Sequence, residues 1–425
     1  MGQMSQVFRV LLVAAAAVLP FSVAAAKPAP APAPVPTLAH NLDAANEAKL
    51  AAVIERFHKE TGGQIKLVRL HKGDKPATLN LLGRYQTEDV FSQPKAFVPL
   101  YSMMSKAGVA LSVQLSEVLK PSVTDGRGRL VALPVLYSTP VMFYNKLAFR
   151  KAGLDPEQPP KTWFEMQGYL DKLQAVGYDC PYASSWPTWV HIDNVSAVSG
   201  VPAIDAKTGL KFNGLPQVKH VAMMATWSKA HYFRQYGNAD EASARFKEGE
   251  CAIITTDSRE YADFQDARGV ELGVAPMPYH DDVYGGRRPT LVGGSSLWVG
   301  AGKSAAEYKQ AAKFVNYLLS PEIQVELVRN HGGLPLTEAA RLASLSRLLQ
   351  DGRQALEAAY ASLRGPGSGP VAQVSRVDDT RLITDEELAA VWADRKPAKA
   401  ALDTAVMRGN SLLKAQPALK KLQPF

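Results

Sequence analysis

Leu50, Val53, Ile54 and Phe57 recur at the three- and four-residue intervals of one helix face, behind a capping Asp43 and ahead of the stop Gly62-Gly63. The stretch QIKLVRL, 64–70, then changes period and predicts a strand. Three further helix starts are marked by a Ser or Thr with Glu three residues on: Thr162 with Glu165, Ser304 with Glu307, and Thr384 with Glu387. Between them lie the short apolar runs PVMFYN (140–145), CAIITT (251–256) and SLWVG (296–300), which predict buried strands. Strands bounded by helices give an α/β fold, and RGPGSGP, 364–370, is a loop.

One apolar stretch fits neither period. YASSWPTWV, 182–190, holds two of the six tryptophans, Trp186 and Trp189, around Pro187, which a helix interior excludes. The segment is therefore a loop or a first helical turn, and its rings either anchor that loop to the core or face a ligand.

Length changes the picture first: 425 residues favour two domains over one core. At the start of the chain, Arg9 precedes the apolar run Val10 to Val18, then Pro20 and Val23-Ala24-Ala25-Ala26. The run is too short to cross a bilayer and ends in small residues, so residues 1–26 read as a cleaved secretory signal peptide and the mature protein as periplasmic. No Cys stands near that cleavage region, which excludes a lipid-modified N-terminal Cys. Residues 27–36, KPAPAPAPVP, form an extended Pro/Ala linker. In an oxidising compartment Cys180 and Cys251 are either one disulfide or two buried thiols.

The formal charge is +8, but Lys and Arg are dispersed without basic runs or interleaved aromatics, which argues against nucleic acid. No HExxH, phosphate loop, nucleotide-binding glycine fingerprint or Gly-x-Ser-x-Gly occurs, and the eight His are scattered without metal-ligand spacing. His191 and His331 read as surface or supporting groups. The expectation is a binding protein, not an enzyme, with no metal and no cofactor.

Five segments carry a resemblance: STPVMFYNKLAFRKAGLDPEQPPKTWFEM (138–166), CPYASSWPTW (180–189), GGSSLWV (293–299), GGLPLT (332–337) and DEELAAVW with ALDTAVMRGNSLL (385–413). They resemble the periplasmic glycerol-3-phosphate-binding proteins of ABC importers, within the extracellular solute-binding proteins of family 1. The resemblance implies a two-lobed periplasmic binding protein fold of type II, with the ligand cleft between lobes joined by hinge strands. It places residues 37–136 and 275–328 in the N-terminal lobe, and 137–274 and 329–425 in the C-terminal lobe. It implies a monomer that captures a small polyol, sugar or glycerol-phosphate-derived ligand and delivers it to a permease. A ligand sensor or scaffold on the same fold is the alternative.

Carried over residue by residue, the implied ligand contacts are Ser138, Trp186, Trp189, Gly293, Gly294 and Arg381, the last a phosphate partner. Asp257 departs from the pattern, standing where the family has a phosphate-holding Ser. A bare carboxylate there repels a phosphate monoester by several kcal/mol at an effective dielectric of about 20, unless it pairs with Arg381. The first lobe departs further: Lys75 stands for a family Tyr, and EDVFSQPKAFVPLY lacks the family's Tyr-Glu pair.

Overall fold

The computed structural model describes residues 34–71, 73–83, 90, 93–205, 208–282, 287–365 and 377–414. The signal peptide expected over 1–26, most of the linker, and residues 366–370 of the expected loop lie outside the described residues. Pro34 to Phe425 form one compact unit.

Asp43 caps helix Ala44–Thr61, its carboxylate accepting the Asn46 N–H at 2.8 Å, and Leu50, Val53, Ile54 and Phe57 are the face it buries. The capping boxes at Thr162 and Ser304 close helices Trp163–Ala175 and Ala305–Leu318 at their N-termini. The third box does not form. Helix Val377–Trp392 already runs through Thr384, whose hydroxyl donates back to the Thr380 carbonyl. Glu387 instead takes Arg408 at 2.9 Å and Lys396. A local capping signal loses here to a longer helix that packs on its neighbour, Ala398–Lys414.

Among the described residues thirteen strands follow in chain order: β1 Thr37–His40, β2 Lys66–Arg69, β3 Leu79–Gly83, β4 Phe97–Val98, β5 Leu133–Ser138, β6 Pro140–Asn145, β7 Cys180–Ser184, β8 Ile204–Asp205, β9 Gly209–Leu210, β10 Phe233–Arg234, β11 Cys251–Asp257, β12 Leu272–Pro276 and β13 Gly293–Gly300. One sheet has the order β2-β1-β3-β13-β4, with β5 also on β13; the other runs β10-β7-β11-β6-β12. β5, β6 and β11 are buried along their whole length, so their sequences are continuous apolar runs rather than alternating ones. Phe57 packs on Phe314 beside the first sheet, and Trp163, Tyr182 and Trp227 fill the core beside the second.

The chain passes from one sheet to the other at Thr139, between β5 and β6, and returns after β12. At that crossing Ser138 pairs with Gly293 in the first sheet, while Pro140 pairs with Asp257 in the second. Thr139 is locked to the end of β11 by Ser258 N–H to its carbonyl, 2.9 Å, and by its own N–H to Ser258 Oγ, 3.2 Å. Cys180 and Cys251 are opposite partners on parallel β7 and β11, and they form a disulfide.

Candidate functional site

The ends of β5, β11 and β13 meet at one wall of a cavity of about 450 Å³. Leu136, Asp257, Gly293, Gly294 and Ser295 line that wall; Trp186, Trp189 and Arg381 line it from the second sheet's side. Helix Ala44–Thr61 contributes Asn46 and Lys49 at its N-terminal end, with His331 beside it.

Both glycines are required by the packing. A Cβ on Gly293 would stand 2.6 Å from Trp189 Cζ2, so this position seats the indole. Gly294 has φ +82°, and its Cβ would stand 1.8 Å from the Leu136 carbonyl oxygen across the β5–β13 pairing.

Trp186 has φ +53°, a left-handed conformation that costs a bulky residue roughly 1–2 kcal/mol. Its N–H donates to the Ala239 carbonyl at 3.0 Å, and its own carbonyl accepts from Val190 N–H at 2.9 Å. The next turn, Thr188–Asn194, is a π-helix that brings Trp189 to the cavity and turns His191 into the core. Helical bulges of this type are frequent at functional sites. Sequence gave no signal for it, because left-handed positions are expected at Gly or Asn.

The charges pair differently from the expectation. Asp257 does not reach Arg381. Its carboxylate accepts the Arg259 backbone N–H at 2.9 Å, Arg259 Nη2 at 2.9 Å, Arg259 Nε at 3.2 Å and the Ser138 hydroxyl at 2.9 Å. Ser138 is fully buried and its hydroxyl is turned to Asp257. Arg381 is 3.6 Å from Asp385, one helical turn on, whose other oxygen accepts the Thr188 hydroxyl at 2.5 Å. This links the arginine to the turn that carries Trp189. Burial pushes the Asp385 carboxyl up to about 6, with Thr188 and Arg381 pulling the other way.

Arg259 was invisible to motif reasoning, although one signal existed: an Asp at a strand end commonly accepts the N–H two residues on. Asp240, Glu260 and Asp263 also line the cavity and were missed for lack of a spacing rule. Burial, with Asp257 and Asp263 nearby, raises the Glu260 carboxyl to about 8, so it is protonated at neutral pH. Four carboxylates, Asp43, Asp240, Asp257 and Asp263, then face Lys49, Arg259 and Arg381. The cavity thus offers both signs of charge beside two indoles. His191 and His331 are buried, not surface groups, and His331 lines the cavity. Among the described residues no cluster has the geometry to hold a metal ion.

The profile of the family described as bacterial extracellular solute-binding protein matches residues 52–351. The sn-glycerol-3-phosphate-binding periplasmic protein UgpB of Pectobacterium atrosepticum is 34% identical over 404 residues, covering 88% of this chain and 90% of that protein. UgpB of Escherichia coli K12 is 33% identical over 401 residues, covering 88% and 91%. Among solved structures, UgpB from Mycobacterium tuberculosis in complex with glycerophosphocholine superposes with TM-score 0.73 at 18% identity, covering 90% of this chain and 99% of that one. The cyclic alpha-maltosyl-1,6-maltose binding protein of Arthrobacter globiformis gives 0.71 at 18% identity, covering 91% and 100%. These two establish the shared two-lobed fold.

Proposed function

The chain belongs to the bacterial extracellular solute-binding proteins, and from that premise we propose that it captures a small hydroxylated solute bearing both charges, a glycerophosphodiester foremost, for an ABC importer. One observation carries the reading: Trp186 and Trp189 share a single cavity with Lys49, Arg259 and Arg381 and with the carboxylates of Asp43, Asp240, Asp257 and Asp263. Indole faces stack on polyol C–H surfaces or on a quaternary ammonium, the arginines suit a singly charged phosphodiester, and the carboxylates suit its cation. The relatives' periplasmic location and the apolar run at the start of the chain support export with a cleaved leader and docking on an inner-membrane permease. Closure would bend the crossing at Thr139, where few residues join the sheets.

A thermal-shift screen of the mature protein against sugars, polyols, glycerol-3-phosphate, glycerophosphodiesters and quaternary amines tests this. A ligand at a hundred times its Kd adds about 2.7 kcal/mol of stability. Glycerophosphocholine is expected to raise the melting temperature most, and no shift with any compound would sink the reading. Trp186→Ala is expected to weaken binding of the hit by roughly 1–3 kcal/mol; unchanged affinity would make that ring a packing residue.

Arg259 also alters the argument against phosphate monoesters, since Asp257 meets a ligand already neutralised by its neighbour. Asp257→Ser frees that guanidinium into the cavity. Affinity for glycerol-3-phosphate is then expected to rise roughly tenfold, the worth of one hydrogen bond to a charged group. Calorimetry that finds no gain would show that Arg259 does not face the ligand.

A further inference from the structure

His331 ends helix Pro321–His331 and is 5% exposed, with its ring on the cavity wall. Its Nδ1 lies 3.1 Å from Asn46 Oδ1. The orientation of that amide is fixed from the other side: Asn46 Nδ2 donates to Asp43 Oδ2 at 2.7 Å, and a carboxylate can only accept. The amide oxygen therefore faces His331, and since it too only accepts, the imidazole proton sits on Nδ1. A neutral ring then has a bare lone pair at Nε2, which is buried and has no hydrogen-bond partner among the described residues. Burial keeps the ring neutral by pushing its pKa down to about 4, helped by Lys49 and Arg259, with Asp43 opposing.

We infer that His331 reads a hydroxyl of the ligand: Nε2, its tautomer set by Asn46 and Asp43, accepts a hydrogen bond from a donor that enters the cavity. A buried acceptor left unpaired is costly, and His331 is one of the residues that line the cavity. A quaternary ammonium has no N–H and a phosphodiester no O–H, so the group selected is an alcohol. The cleft, whose first-lobe sequence lacks the aromatic and carboxylate contacts that the resemblance implied, thus regains a hydroxyl contact through Asp43, Asn46 and His331. This role presupposes the solute-binding reading above.

The test uses the full mature chain with glycerophosphocholine and its two mono-deoxy glycerol analogues as probes. Nitrogen-15 NMR of the folded protein is expected to show the His331 proton on Nδ1; a proton on Nε2 overturns the inference with or without ligand. In titrations, wild type is expected to bind one deoxy analogue roughly tenfold to a hundredfold more weakly than the parent. His331→Leu should lose affinity for the parent by a similar factor and bind that analogue nearly unchanged, while His331→Gln, which keeps an acceptor, restores part of the difference. Equal losses for parent and analogues would make His331 merely structural and leave the solute-binding reading standing. If wild type binds none of the three, the glycerophosphodiester reading fails and this role fails with it.

Discussion

Replacing Cys180 and Cys251 together by Ala is expected to cost about 4 kcal/mol of stability. The bond closes a loop of 71 residues, and loop-closure entropy puts the stabilisation for a loop of about that length between 3 and 5 kcal/mol. The loop contains the whole Trp-bearing turn and helix Leu215–Lys229, and it ends where the strand that leads to Asp257 begins. Its two ends are neighbours in the second sheet, where every side chain of β7 and β11 is buried. Denaturant unfolding of the double variant checks this, and wild type treated with a reductant should follow the same curve. A loss under about 1 kcal/mol would mean that the paired strands hold the loop closed without the bond. Ligand affinity is expected to fall as well, since β7 runs directly into the turn at Trp186.

Acid is expected to remove a comparable share of stability well before ordinary carboxylates titrate. His191, His220 and His280 form a chain beside the second sheet, with ring nitrogens 2.9 and 3.1 Å apart, packed around Trp163. Burial lowers His191 to about 3 and His220 far below its usual range. His280, beside Lys219, Asp281 and Asp282, falls to about 4, as does His331. In the unfolded chain each titrates near 6.5. Between pH 6.5 and 4 the unfolded state therefore holds protons that the folded state refuses, and stability falls with pH across that window. Glu260 and Asp385 act in the opposite sense, because their raised pKa values let the folded state take up protons first. The net loss from pH 6.5 to 5 is on the order of 5 kcal/mol, at about 1.4 kcal/mol per group and pH unit. Denaturation midpoints at the two pH values measure it. Coincident curves would show that the histidine chain opens to solvent without unfolding.

How much of this was legible in the sequence depends on the range of the interaction concerned. Asp43, Thr162 and Ser304 cap helices through atoms three residues away, and the chain alone specifies those contacts. Thr384 carries the same signal and fails, because the packing of helix Val377–Trp392 on Ala398–Lys414 outweighs one hydrogen bond. The apolar runs of β6, β11 and β13 announced buried strands, and the segments around Trp186, Gly293 and Arg381 announced the family. All of Trp186, Trp189, Asp257, Gly293, Gly294 and Arg381 do line one cavity; Ser138 stands behind it, its hydroxyl on Asp257.

The sequence by itself determined most of the helices, the buried strands, the two-lobed architecture and six of the residues that line the cavity, because periodicity, capping and family motifs are written in neighbouring residues. Which charges pair in that cavity was decided only by the tertiary structure. Arg259 took Asp257, Asp385 took Arg381, and Asp43 with Asn46 set the proton of His331. Of these, only His331–Asn46 joins distant parts of the chain; the other pairs lie two to four residues apart, and folding decided them by setting which of several nearby charges comes within about 3 Å, the distance at which hydrogen bonding is decided.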